Sequence, residues 1–296
     1  MYDISDHTVQ MNAWIALTRS DPTFSHTLAE LEYGCDVIEP PIFVEDHDLH
    51  PDIVLTSVRH ANSLVVDCKS NTVEPDQLER YQALKGREDA LVAQGIVRDV
   101  AADDLSAELT LSSFTDLSND NYIPDPFALV HFRHDPSSGF SVWNLDGHEF
   151  TFDALRELFP INGEPSQPLP VSYYPYDVYE EDRRTFVTHI LRSVISLAVK
   201  QGEFSAEDVV RDSHQYWEAL SNEKQKQLLR EAKQTIYELQ EAGLDDHIEV
   251  IAETDGTEWK RISKSIQAVS DKTDYYVDRV TEALDQQTFG DYNFDI

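Results

Sequence analysis

Two carboxylates and an amine stand where two apolar runs would bring them together. Asp52 follows Pro51 at the head of Asp52–Ser57 (DIVLTS), and Asp67 and Lys69 end Ser63–Lys69 (SLVVDCK). Side chains alternate along a strand, so Val65, Asp67 and Lys69 share one face and Leu64, Val66 and Cys68 the other. If the two runs pair through a turn at Arg59–Asn62, Asp52 comes to lie near Asp67. Carboxylates that close repel unless a cation sits between them. A hard, oxygen-seeking Mg²⁺ suits that place, with the backbone carbonyl of Cys68 as a further ligand. Lys69 beside the metal could orient or activate a water and stabilise charge growing on phosphate oxygens. Gln77 and Tyr81, four residues apart on the next helix, point the same way and could steady Lys69 or contact the phosphate. An acidic pair, Glu30 and Glu32, precedes the set.

The elements that must hold these residues can be read from the pattern. Met11–Thr18 reads as a short helix, and Asp21-Pro22 opens a second through Thr23–Tyr33, ended by Gly34. Val37–Val44 is extended and broken by Pro40-Pro41, and Glu45–His50 is a polar loop better read as solvated than as a metal loop. The two strands follow, and Glu74-Pro75-Asp76 opens a helix to about Lys85, with proline early and acids in its first turn. Further strands are expected at Glu108–Phe114, Phe127–Arg133 and Phe140–Leu145, then a short helix at Phe152–Leu158. His131 and His134, flanking Arg133, read as surface residues, and Cys68 as a small buried hydrophobe.

His50-Pro51-Asp52, then Asp67-Cys68-Lys69, then Gln77-x-x-x-Tyr81 on a helix resembles the PD-(D/E)XK, or restriction-endonuclease-like, nuclease superfamily. The Gln-x-x-x-Tyr element is similar to that of RecB-like exonucleases, and the layout resembles archaeal Holliday-junction resolvases. The resemblance covers about residues 22–133. It implies an α/β fold, a mixed sheet flanked by helices, that hydrolyses phosphodiesters with Mg²⁺ or Mn²⁺. By position, Asp52 and Asp67 would hold metal, Lys69 would be catalytic, and Gln77 and Tyr81 supporting. The helix-borne acid of the family would be Glu30, with Glu32 as fallback. Many relatives work as dimers, which leaves a homodimer open.

Prolines cluster at 160, 165, 168, 170 and 175, which divides a nuclease-like domain at residues 1–165 from an accessory domain at 166–296. The second part is mainly helical: Arg183–Lys200, a Ser205-capped helix through Val210, and Asn222–Ala242 ended by Gly243. Ile248–Ile262 reads as a hairpin around Asp255-Gly256, and Ser263–Gln287 as a last helix. Three helices and a hairpin resemble a winged helix, in which the third helix would enter a DNA groove and the hairpin would form the wing. Lys224, Lys226, Arg230 and Lys233 on that helix, with Trp259, Lys260 and Arg261 on the hairpin, form the densest basic group. A protein-interaction module fits the same pattern.

Composition limits the partners. The 296 residues are 41% hydrophobic and 10% aromatic, enough for a real core. Acids outnumber bases 56 to 23, for a net charge of −33, and the excess runs along the whole chain. That reads as a surface fitted to a high-salt cytoplasm, where at 1 M salt the Debye length is about 3 Å. A halophilic archaeon or its mobile element is the expected source, with defence or repair as the setting. The charge opposes tight non-specific DNA binding, which normally needs Lys and Arg; screening and a bridging divalent ion soften that objection. Cys35 and Cys68 form no CxxC pair, which argues against structural zinc. No apolar run approaches a membrane span, so a cytoplasmic protein with reduced thiols is expected. No Gly-rich phosphate loop or Gly-x-Ser-x-Gly elbow is present. Two readings compete with the nuclease: an inactive relative that binds DNA or a partner, and a scaffold protein whose acids are only surface.

Overall fold

The computed structural model describes residues 5–20, 22–70, 72–118, 122–135, 139–163, 173, 183–252 and 258–290. The chain divides into two compact units: residues 5–174 with Glu218–Ser221, and the remainder. The domain boundary expected at residue 165, the prolines at 165, 168, 170 and 175, and the turn at Asp255-Gly256 all lie outside the described residues.

The first unit is mixed α/β. Helix α1 (Asp6–Leu17) precedes β1 (Tyr33–Ile38), a small hairpin of β2 (Ile42–Val44) and β3 (His47–Leu49), and then β4 (Ile53–Ser57) and β5 (Asn62–Lys69). Helices α2 (Pro75–Gln82) and α3 (Asp89–Ala93) lead to β6 (Ser106–Ser113), β7 (Ala128–Asp135), β8 (Gly139–Asn144), α4 (Asp153–Leu158) and the short β9 (Ile161–Asn162). Seven strands form one sheet in the order β1-β4-β5-β6-β7-β8-β9. β1, β4 and β5 run antiparallel, β5, β6 and β7 parallel, and β7, β8 and β9 antiparallel. The strands at the centre are buried on both faces, which is why Ile53–Leu55 of β4 and Leu64–Val66 of β5 are apolar at consecutive positions and do not alternate.

Each face has its own cover. On one side, Val54, Val65, Leu109, Leu111 and Leu129 pack with Leu78 and Tyr81 of α2, Leu91 of α3 and the β2–β3 hairpin. On the other, α1 lies against the sheet. Met11 Sδ is 3.8 Å from Cys68 Sγ, and the Trp14 and Phe132 rings meet edge to face at 5.8 Å. Ser5 caps α1 by accepting from the Thr8 amide, and Pro75 opens α2 in the first turn. At Gly163 a Cβ would sit 2.1 Å from the Phe140 carbonyl oxygen, so only glycine lets the chain pass.

The pattern misread three local elements. Thr23–Tyr33 is not a helix: only a single 3-10 turn at Leu28–Leu31 forms, and Tyr33 already pairs with Ser57. Glu32 takes a left-handed conformation that stops the turn, and the Tyr33 hydroxyl donates to Asn62 at 2.5 Å. Glu45–His50 is not all loop; His47–Leu49 pairs with Ile42–Val44 and buries Leu49. Helix α1 starts five residues before the expected Met11.

The second unit carries α5 (Arg183–Lys200), β10 (Glu203–Ser205), α6 (Ala206–Ser213), α7 (Asn222–Glu241), β11 (Ile248–Ala252), β12 (Glu258–Arg261) and α8 (Thr273–Gly290). Its three strands are ordered β10-β12-β11. Ser205 and Asp208 form a reciprocal capping box at the start of α6. The segment expected as one last helix is split, with 3-10 geometry at Lys264–Lys272 before α8. No helix among the described residues is long and apolar enough to cross a membrane. Both cysteines are free thiols.

Candidate active site

The β4–β5 hairpin puts the two aspartates opposite each other. Ile53 pairs with Val66, and the Asp52 amide donates to the Val66 carbonyl at 2.9 Å, so Asp52 faces Asp67 across the ladder. Lys69, two residues on, lies on the same face, and its ammonium reaches Asp67 Oδ2 at 2.7 Å. From α2, Gln77 bridges the pair: its amide N–H donates to Asp67 Oδ2 at 2.8 Å and its oxygen accepts from Lys69 at 2.7 Å. Lys69, Asp67 and Gln77 thus close a three-membered polar ring. Tyr81, one helical turn from Gln77, is 3% exposed, and its hydroxyl lies beside Gln77 without completing a hydrogen bond.

The electrostatics of the two acids diverge. Asp67 is pushed up to about 7, first by burial and then by the neighbouring Asp52 charge, against the pull of Lys69. Burial also works on Asp52, but the hydrogen bond and charge of His7 and the Cys68 amide outweigh it and hold that carboxyl below the ordinary range. His7 Nε2 is 3.0 Å from Asp52 Oδ1, and the Cys68 amide donates to Oδ2 at 2.5 Å. The two acids are thus pushed in opposite directions, Asp52 toward the anion and Asp67 toward the protonated form, as expected for two acids that cannot both ionise cheaply in a buried place. Burial and both aspartates push the Tyr81 phenol well up, so it stays neutral.

Sequence reasoning missed His7 and Gln10. Both are on α1, three residues apart, and both reach the ends of the functional strands. The Gln10 amide donates to the Lys69 carbonyl at 3.1 Å and accepts from Ser112 at 2.9 Å; the Trp14 indole donates to the same Ser112 hydroxyl at 3.1 Å. This network pins α1 to the carboxyl ends of β5 and β6. The signal available was Ser5-Asp6, a capping residue and an acid that place the helix start before His7.

Other expected residues lie elsewhere. Glu30 completes a capping box with Thr27 and contacts His26 at 3.2 Å, while Glu32 pairs with Arg59 at 2.7 Å; both are exposed, and neither supplies the helix-borne acid. Lys224 is only 4% exposed, so it does not belong to a basic surface on α7. Lys226 and Arg230 are exposed there and Lys233 is half-buried. On the hairpin, Lys260 pairs with Glu203 at 3.3 Å and Arg261 is half-buried. Trp259 is core, stacked on Phe204 and donating to Gln240 at 3.1 Å.

Among the described residues no three His, Cys, Asp or Glu side chains converge with the geometry of a metal cluster. The oxygen donors of the site, Asp52, Asp67 and the Cys68 carbonyl, are nevertheless of the hard type that Mg²⁺ or Mn²⁺ takes.

Comparison with known proteins covers both units. The model described as domain of unknown function DUF8601 matches residues 179–292. The uncharacterized protein MJECL32 of Methanocaldococcus jannaschii is 24% identical over 215 residues, which cover 66% of this chain and 47% of that protein. The chain spans about half the length of the curated relative it matches. No solved structure matches it. The family model described as the MJECL32 domain matches residues 6–174, which hold α1, the whole seven-stranded sheet and the aspartate pair. Since that match takes in more than half of its length, the chain belongs to the MJECL32 domain family.

Proposed function

We propose that the protein is a divalent-metal-dependent nuclease that hydrolyses phosphodiester bonds, with DNA as substrate. The observation that carries the reading is the aspartate pair on adjacent strands, closed by Lys69 and Gln77. Asp52, Asp67 and the Cys68 carbonyl would hold Mg²⁺ or Mn²⁺, which supplies Lewis acidity toward a phosphate oxygen and a bound water. Lys69 would be released from Asp67 toward the phosphate and stabilise its growing charge. Gln77 keeps that amine aimed, and His7 keeps Asp52 ionised. A mixed sheet with helices on both faces is the setting that the PD-(D/E)XK resemblance implies.

The order of elements in the second unit is what favours DNA docking. Helix, strand, helix, helix, strand and strand with a β10-β12-β11 sheet fits a winged helix, and Lys226, Arg230 and Lys233 lie on its third helix. A protein partner or a second copy of the chain is the other occupant of that surface. The net charge of −33 fits a cytoplasm of high salt, hence a halophilic archaeon or its mobile element, and a role in defence or repair.

The test is cleavage of linear, circular and branched DNA in molar KCl with Mg²⁺ or Mn²⁺, comparing wild type with Asp67→Ala and Lys69→Ala. Metal-dependent cutting by wild type alone supports the nuclease, and full activity in Asp67→Ala sinks it. A second reading, a non-catalytic relative that binds DNA or a partner, is favoured by one observation: α1 offers His7 and Gln10 to the site and no acid. Metal binding without cutting would select it.

A further inference from the structure

Lys69 is one end of a row that continues across the sheet. Parallel pairing sets Lys69 opposite Ser113 and Ser113 opposite His131, and antiparallel pairing sets His131 opposite Trp143. Residues paired in this way project from the same face. With neighbouring strands about 4.8 Å apart, three steps put Trp143 roughly 14 Å from Lys69. Between them Ser113 is small, and its hydroxyl turns to the Ser70 carbonyl at 3.0 Å. Ser113 itself is buried, with its hydroxyl also 3.0 Å from that of Thr115, so the Lys69 amine and the His131 ring are separated by a covered step.

The far end of the row is flat and aromatic. The His131 and Trp143 rings stack with centroids 5.8 Å apart and planes 10° from parallel. Arg133, two residues further along β7 and so on the same face, holds its guanidinium 5.9 Å from the Trp143 ring centre. His131 and Trp143 are half-buried and Arg133 is exposed, whereas Phe132, Phe140 and Val142 on the opposite face are core. Trp143 also walls a cavity of about 640 Å³ that carries three acids, Asp116, Asp146 and Glu149, and Arg156, so the anionic part of a ligand would have to lie on the Arg133 side of the rings. A ring surface beside a cation, in a chain with 56 acids and 23 bases, favours a ligand that offers π-faces together with negative charge. A nucleic-acid strand has both, but a duplex hides its base faces in the stack, so the fit is to unpaired nucleotides.

We propose that Trp143, His131 and Arg133 form the stacking platform for an unpaired stretch of the DNA strand that the Asp52–Asp67–Lys69 site cuts. The choice of ligand rests on the nuclease reading. The platform lies on the same face as Lys69 and holds unpaired bases, so the substrate is single-stranded DNA or a frayed end. Because stacking is weakly salt-dependent, such binding persists where the acidic surface is screened, and a contact through Arg133 adds only a shallow salt slope.

The test measures binding and cutting separately, on the full chain. Labelled oligothymidylate and a blunt duplex of equal length are titrated without divalent metal, from low to molar KCl, by anisotropy and tryptophan quenching. The single strand should bind and quench, and the duplex should bind far more weakly. Trp143→Ala should weaken single-strand binding about tenfold or more. Trp143→Phe should keep most of the affinity, which separates stacking from loss of fold. Arg133→Ala should flatten the salt slope by about 0.7. Equal affinity in Trp143→Ala, duplex bound as tightly as single strand, or oligouridylate preferred over oligothymidylate would overturn the platform. Binding through Trp143 with no cutting under any metal removes the nuclease reading and leaves a single-strand binding surface. Cutting by wild type with Trp143→Ala unchanged in both assays removes the platform and leaves the nuclease.

Discussion

Two buried carboxylates in one sheet, Asp67 on β5 and Glu108 on β6, differ in how their environments receive them. Glu108 is 3% exposed and accepts three hydrogen bonds, from the Thr151 amide at 3.0 Å, the Thr151 hydroxyl at 2.5 Å and the Phe152 amide at 2.8 Å. It meets the amino end of α4, where its partners are these uncharged donors. Asp67 is as buried, at 4%, yet it faces Asp52 and is pushed up to about 7 by burial and by that second charge. Burial alone does not distinguish a structural acid from a reactive one. What distinguishes them is whether the fold supplies enough donors to satisfy the charge, or leaves part of it for a proton or a cation.

The comparison breaks first on activity. Asp67→Ala and Asp52→Ala should abolish metal-dependent DNA cleavage, whereas Glu108→Gln should retain it at temperatures where the variant stays folded. Lys69→Ala should lower the cleavage rate by about 10²–10³-fold, the usual cost of removing one charge-stabilising group. Unfolding in urea should reverse the order. Glu108→Ala leaves buried donors unpaired and should cost about 3 kcal/mol; Asp67→Asn, which removes an awkward charge, should cost less than about 1 kcal/mol at pH 8 or stabilise the fold.

A third measurement sharpens the contrast through pH. With Asp67 raised from 3.8 to about 7, the folded state keeps a proton that the unfolded chain has lost between these values. Its contribution to stability is full below about pH 4 and is lost as pH rises through about 7, with a slope of at most about 1.4 kcal/mol per unit. Asp52, held low, acts oppositely, and its contribution is lost in acid. The difference in stability between wild type and Asp67→Asn should therefore fall from pH 4 to pH 7 and level off above. A flat difference would show that Asp67 titrates as an ordinary surface acid.

The smallest effects belong to the same contrast among cations of α7. Lys226→Gln and Arg230→Gln, both exposed, should change stability by less than about 0.5 kcal/mol while weakening any DNA binding by that unit. Lys224→Gln, at a 4% exposed position, should cost more in urea and should not alter DNA affinity in the folded protein.

The hairpin that carries the site was legible because its signals are local. Two apolar runs with a short turn fix the register, and register fixes that Asp52 meets Asp67 and that Lys69 shares their face. Gln77 followed from helical spacing and does bridge Asp67 to Lys69. Helix α1 was read short because its buried positions include Thr8, Gln10 and Asn12, so it shows no apolar stripe. Glu30 looked like a helix-borne acid because capping acids and catalytic acids are the same residue type; the 3-10 turn decided between them.

The sequence by itself thus determined the β4–β5 pairing and set Gln77 of α2 toward Lys69, since contacts a few residues apart are governed by strand alternation and helical rise. Only the tertiary structure decided that His7 would hold Asp52 across 45 residues, that Glu108 would be spent on α4, and that the Lys69 row would run on to His131 and Trp143. Those contacts depend on which elements share a face and on parallel crossovers between distant strands, and no local period in the chain encodes either.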